Sequence, residues 1–292
     1  MRIGFVGAGR MGRPIVDRLV AAGHAVTVLA RRPEARAAAE ADGLTCAGTV
    51  AETVRAAEVV FCVVLDDAQV RAAFLGEGDG LAAMPEGAVL VQHTTCDPGT
   101  LQVLAEAGAA RGARVLDAAL SGGPHDIAEG RLTLWVGGDD RVLAEVRPLL
   151  ETYASPVMPV GGLGNGQRVK LVNNALFVSQ VGLAIDAVRV ARQLGIDEAA
   201  ILAAVQHGSG ASRALGIVAG MGVTAVGDHL AELMLKDVLV VREIAERTGV
   251  DLGAIGGVLS SAAVEQGVLR GGAPPGRSAV AARPAQTAMK DH

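Results

Sequence analysis

The chain has 292 residues, half of them hydrophobic, and a formal net charge of −5. That length supports a large core and two domains, while the acidic balance and the lack of any lysine–arginine block argue against a nucleic-acid partner. Three scattered cysteines, Cys46, Cys62 and Cys96, suit neither a disulfide framework nor a CxxC metal site.

The segment MRIGFVGAGRMGRPIVDRLVAAGHAVTVLARR predicts a strand, a glycine turn, a helix with apolar spacing at Ile15, Leu19 and Val20, a break at Gly23 and a second strand. This is a βαβ unit. Gly7, Gly9 and Gly12 have the G-x-G-x-x-G spacing, in which the first glycine permits a tight turn, the second lets backbone approach a pyrophosphate and the third lets helix and strand pack closely. Glycines are 39 of the 292 residues, so the pattern by itself is weak, and a purely structural turn is the other reading. Its position between strand and helix makes it a dinucleotide fingerprint, with Ala8, Arg10 and Met11 inside the loop and the helix N-terminus offering amides to phosphate.

The second strand ends at Ala30-Arg31-Arg32-Pro33, with no acid where an NAD-selective site usually binds ribose hydroxyls. Arg31 and Arg32 can grip a 2′-phosphate, which favours NADP over NAD as cofactor; two arginines pointing into water are the alternative. The chain opens directly in a strand, with no charged leader and apolar stretch, and runs such as AEVVFCVVL fall well short of the roughly 20 residues that span a bilayer. A cytoplasmic protein with no membrane partner is expected.

AEVVFCVVL, GAVLVQHTT and ARVLDAAL are continuous apolar runs of the kind found in buried parallel strands, separated by Ala-rich helical segments. The expectation is an α/β, Rossmann-type doubly wound domain over residues 1–161. Residues after such strands face the ligand crevice, which makes Val64, Leu65-Asp66-Asp67, Thr95 and Ser121-Gly122-Gly123 candidates for the site.

Beyond residue 162 the pattern becomes helical, in QRVKLVNNALFVSQVGLAIDAVRVARQLG and HLAELMLKDVLVVREIAERTG, predicting a mainly α-helical domain over residues 162–292. Its Gly- and Pro-rich tail from about residue 271 has no apolar period and is expected to be loosely ordered. Excess apolar surface on the first long helix predicts a homodimer or homotetramer.

Lys170 and Asn174 are four apart on that helix and share a face. A lysine beside a hydride-transfer centre can protonate a carbonyl oxygen or take a hydroxyl proton. On spacing alone, an exposed helix lysine in a polar patch competes with that reading.

The glycine fingerprint, DAALSGGPHDIAEGRLTLWVGGD, GLGNGQRVKLVNN and LKDV occur in order and together resemble the β-hydroxyacid dehydrogenase family, over nearly the whole chain to about residue 250. The resemblance implies an NADP-dependent oxidoreductase acting on a short β-hydroxy acid or its semialdehyde. It implies Lys170 as catalytic acid/base, with Ser121, Gly122, Gly123, Asn174 and Lys236 holding a small carboxylate substrate and Thr95, Lys236 and Asp237 near the cofactor. The family's usual Pro-Val before Ser-Gly-Gly is Ala119-Leu120 here, which removes a stiffening proline, and Pro124-His125-Asp126-Ile127 stands where many members carry small residues. His125 is read as a surface histidine or a substrate contact, Cys96 as a packing residue. No metal site is expected, since the histidines show no ligand spacing. Imine reductases share the two-domain plan but typically replace the lysine. A non-catalytic dinucleotide-binding module is the reading from another class.

Overall fold

A computed structural model describes residues 1–261 and 263–264, with the side chains of residues 227–236 outside that description. The sequence-based expectation for the tail from residue 271, and the side-chain roles assigned to Lys236, fall outside the described residues.

The first half alternates as its apolar runs predict. In chain order it comprises β1 (Arg2–Val6), α1 (Gly12–Ala21), β2 (Ala25–Leu29), α2 (Pro33–Ala41), β3 (Thr45–Ala47), α3 (Val50–Val54), β4 (Val59–Cys62), α4 (Asp67–Phe74) and α5 (Gly80–Ala83). It continues with β5 (Val89–Gln92), α6 (Pro98–Ala109), β6 (Arg114–Ser121), α7 (Pro124–Ala128), β7 (Leu132–Gly137), α8 (Asp140–Leu150) and β8 (Ala154–Pro159). The eight strands form one sheet in the order β3-β2-β1-β4-β5-β6-β7-β8. Every neighbouring pair is parallel except β6 and β7. The doubly wound α/β expectation is met.

Alternation along the strands feeds two apolar layers. Phe5, Phe61, Val91 and Leu116 pack with Ile15 and Leu19 of α1 and Val146 and Leu149 of α8. Val60, Cys62 and Leu90 pack on the other side with Val54, Phe74, Leu101 and Leu104. β3, β7 and β8 go beyond the strands marked by apolar runs: β3 has three residues, and β8 is exposed at four of six positions and contains two prolines.

The helical half consists of α9 (Asn165–Gln193), α10 (Glu198–Val205), α11 (Arg213–Met221), α12 (Val223–Thr248) and α13 (Gly253–Leu259). α9 has 29 residues and so runs roughly 43 Å. By length and composition it alone among the described helices could cross a membrane, but half of its apolar window is buried within the protein, as in a core helix.

Contacts divide the chain into two compact units. The first takes in Met1–Phe177 and Lys236–Leu252; the second takes in Val178–Leu235 and the described residues from Gly253. The boundary read from sequence, between residues 161 and 162, lies just before α9, whereas the first compact unit keeps that helix's opening turns, which are bound to the sheet through Asp117 as described next.

Candidate active site

Residues of the first unit enclose a pocket of about 880 Å³. Gly7, Gly9, Arg10 and Met11 line it after β1, Arg31 and Arg32 after β2, Val64 and Leu65 after β4, Thr95 after β5, Gly122 after β6, and Lys170 on α9. These are strand C-terminal ends, where ligands bind in doubly wound sheets. Ala8, Gly12, Ser121, Gly123, Asn174 and Asp237 are not among the residues that wall it.

The glycine loop divides its tasks between packing and access. Gly7 has φ +105°, and a Cβ there would collide with the Val63 carbonyl; one on Gly12 would collide with the Gly7 carbonyl and come 2.8 Å from the Phe5 ring. A Cβ on Gly9 meets nothing within 4 Å, leaving room for a group to approach the backbone. The N-terminus of α1 has no side-chain cap and no acid in its first turn, so its amides and dipole remain suited to an anion. This cradle fits a dinucleotide pyrophosphate. Arg31 and Arg32 are exposed at its edge.

Lys170 is half-buried in the pocket wall. Its helix starts where it does because of Asp117, a fully buried residue of β6. The backbone N–H groups of Gly164 and Gln167 donate to Asp117 Oδ1 and Oδ2 at 2.9 and 2.8 Å. This satisfies orphan donors of the first turn from outside the helix. Space for the acid exists because residues 137 and 166 are glycines; a Cβ on Gly166 would lie 2.6 Å from Asp117 Oδ2, and one on Gly137 would collide with Oδ1. Burial outweighs the pull of the amides and raises the Asp117 carboxyl to about 6.

The Ser-Gly-Gly turn differs from an open anion nest. The Gly123 N–H donates to Asp126 Oδ2 at 2.7 Å, so that amide is already used to close α7. Gly122, with φ +132°, exposes its backbone to the pocket. His125 is exposed, with Nε2 3.3 Å from Asp126 Oδ1.

Asn174 and Asp237 are also placed differently from the expectation. Both are buried, and Asn174 Nδ2 donates to Asp237 Oδ2 at 2.5 Å, linking α9 to α12 within the first unit. The side chains face each other and not the pocket because a buried carboxylate requires a donor.

Sequence reasoning missed several wall residues: Thr49 and Gly48 near the arginines, Gln69, Glu77 and Gly78 beyond β4, and His93 and Thr94 at the end of β5. Thr94 is legible in retrospect, because it immediately precedes Thr95 and its hydroxyl accepts the Val64 N–H at 2.9 Å. His93 is buried between partners: its Nδ1–H donates to the Ala118 carbonyl, and the Tyr153 hydroxyl donates to Nε2 at 2.9 Å. Burial lowers His93 to about 4. Cys62 and Cys96 are buried thiols pushed upward by desolvation, Cys62 to about 12, which makes them packing groups. Among the described residues no cluster of three His, Cys, Asp or Glu suits a metal ion.

Residues 2–162 match the family described as the NAD binding domain of 6-phosphogluconate dehydrogenase, and residues 164–274 match the NAD-binding domain of NADP-dependent 3-hydroxyisobutyrate dehydrogenase. The chain is 33% identical to 3-hydroxyisobutyrate dehydrogenase of Pseudomonas aeruginosa, over 74% of this chain and 72% of that one. It is 32% identical to 2-hydroxy-3-oxopropionate reductase of Escherichia coli, over 74% and 73% respectively. Among solved structures, 3-hydroxyisobutyrate dehydrogenase of Mycobacterium tuberculosis with L-serine superposes at TM-score 0.79 with 26% identity, covering 88% of this chain and 90% of that one. With the glycine cradle, the strand-end pocket and Lys170 in its wall, these matches identify the chain as a member of the β-hydroxyacid dehydrogenase family of NAD(P)-dependent oxidoreductases.

Proposed function

We propose that this chain interconverts a short β-hydroxy acid and its semialdehyde with NADP(H), using Lys170 as general acid/base. The observation that carries the reading is the single pocket shared by the glycine loop, Arg31, Arg32, Thr95, Gly122 and Lys170. The named substrates of the relatives, 3-hydroxyisobutyrate and 2-hydroxy-3-oxopropionate, belong to the same chemical class.

The N-terminal amides of α1 hold the pyrophosphate, and Arg31 and Arg32 hold a 2′-phosphate through charge-assisted hydrogen bonds. The bound nicotinamide supplies or takes up the hydride. Lys170 gives a proton to the carbonyl oxygen during reduction and removes the hydroxyl proton during oxidation. The Gly122 backbone, which lines the pocket, orients the substrate acid. Gly123 acts indirectly, by fixing the turn through Asp126. Asn174 and Asp237 stiffen the helix face that presents Lys170.

A second copy of the chain packs on α9 in this reading, because Val172, Leu176, Leu183 and Val190 are exposed at spacings of four and seven along one face. Sedimentation of wild type against Leu183→Glu with Val190→Glu tests the assembly; a dimer or tetramer that the substitutions dissociate is expected.

The catalytic reading is tested by initial rates with NADPH and NADH on short semialdehydes, keto acids and cyclic imines, for wild type and Lys170→Ala. Semialdehyde turnover that falls by about 100- to 10,000-fold in the variant is expected. Turnover of imines alone, or equal rates in both proteins, overturns it.

A further inference from the structure

The residues that align Lys170 do not touch the pocket. Asp117 sits on β6, yet it caps a helix that begins 48 residues later, accepting from Gly164 and Gln167. The position before α9 is Gly164, which has no side chain to serve as a local cap, so the cap is supplied by the sheet. Gln167 adds a second tie, since its Oε1 accepts the Cys96 N–H at 3.1 Å. Cys96 follows the pocket residue Thr95, Gly122 lies five residues beyond Asp117, and Lys170 lies one turn beyond Gln167. The middle of β6 and the first turn of α9 therefore meet at one buried carboxylate–amide junction, and Gln167 ties the loop after β5 to the same turn.

We propose that Asp117, acting with Gln167, is a positioning residue that fixes the Lys170 ammonium against the Thr95 and Gly122 walls of the pocket. This inference rests on the reading of Lys170 as the acid/base. An ordinary N-cap would stabilise α9 alone; a cap anchored in β6 also sets where the helix lies relative to the strand that leads to Gly122. Misplacing a catalytic group by about 1 Å can cost about 100-fold in rate, so the junction acts on turnover and not on cofactor affinity.

The test uses Asp117→Asn and, in case that variant folds poorly, Gln167→Met, which keeps the carboxylate and its backbone bonds and removes only the tie to Cys96. Each is made alone and on a Lys170→Ala background. NADPH affinity is read by fluorescence, and kcat and KM are measured with 3-hydroxyisobutyrate and NADP⁺ and with 2-hydroxy-3-oxopropionate and NADPH. A readout independent of turnover is available because the chain has only three lysines, at positions 170, 236 and 290: after reductive ¹³C-methylation, the Lys170 dimethylamine resonance is assigned from Lys→Arg variants.

Asp117→Asn is expected to lower kcat by about 10- to 100-fold, and Gln167→Met by less. NADPH affinity should change less than about threefold, and neither variant should cost more than about threefold further once Lys170 is absent, since coupled residues are not additive. The Lys170 resonance should move in both variants while that of Lys290 stays in place. An unmoved Lys170 resonance, or a kcat loss that multiplies in full on the Lys170→Ala background, overturns the inference while leaving Lys170→Ala inactive and its reading intact. Wild-type turnover in Lys170→Ala refutes that reading, and the present inference with it.

Discussion

Asn174 and Asp237 are joined at 2.5 Å, side chain to side chain, although 63 residues separate them in sequence. Both are buried, so the amide is spent on the carboxylate one turn beyond Lys170. Asn174→Leu removes a donor to a buried carboxylate, at a cost of about 1–3 kcal/mol. Urea unfolding is expected to show that loss together with a lowered kcat; a variant as stable as wild type would contradict the pairing.

The glycine loop separates stability from binding. Gly9→Ala meets no neighbour within 4 Å, so its stability should stay within about 0.5 kcal/mol of wild type, while NADPH affinity drops at least tenfold as the Cβ enters the cofactor's path. Gly12→Ala drives a Cβ into the Gly7 carbonyl and the Phe5 ring, and it should unfold at lower temperature even without cofactor. Thermal melts and fluorescence titrations of the two variants check the contrast.

Two buried groups titrate in opposite senses over one pH interval. Asp117 is raised from 3.8 to about 6 by burial. The folded chain binds that proton more tightly than the unfolded chain, so its contribution to stability is complete below about pH 4 and is lost as pH rises through about 6. His93 is lowered from 6.5 to about 4 by burial. The folded chain resists that protonation, so its contribution is complete above pH 6.5 and is lost as pH falls through about 4. At 1.36 kcal/mol per unit, each contributes about 3 kcal/mol, with opposite slopes that largely cancel. His93→Gln should therefore gain stability relative to wild type as pH falls from 7 to 4.5, and Asp117→Asn should lose it. Urea unfolding across that range measures both slopes, and parallel curves for all three proteins would sink the assignment.

Arg31 and Arg32 line the pocket beyond β2. Replacing both with alanine should weaken NADPH by about 10- to 100-fold and leave NADH within about threefold, since a charge-assisted hydrogen bond contributes about 1.5–3 kcal/mol. Isothermal titration with each dinucleotide decides it; an equal loss for both would show that the arginines do not select the phosphate.

What the sequence discloses is what is local. The strand–glycine–helix order and the spacing of Gly7, Gly9 and Gly12 are set by backbone geometry within a dozen residues, and Lys170 stands out on a helix whose period is plain. Asp117 reads as an ordinary member of an apolar run, because the amides it accepts lie 47 and 50 residues onward. Asn174 illustrates the same limit: helical spacing puts it on the face of Lys170, but nothing near it in sequence identifies the acid on α12 that takes its amide. The Gly123 amide was within reach, since Asp126 lies three residues away in a capping arrangement.

The seat of α9 in the sheet also determines where the chain can change length. Gly137 and Gly166 leave no side chain's thickness around Asp117, so the helix cannot slide along its axis to absorb an extra residue. One residue inserted between Gly166 and Lys170 turns the lysine by about 100° and advances it about 1.5 Å, removing it from the pocket wall while the seat stays filled. The same insertion after Phe177 leaves every described pocket residue in register. An insertion there still turns the buried Val178, Val181 and Val188 out of their packing, so it should lower stability, whereas one ahead of Lys170 should abolish turnover as well.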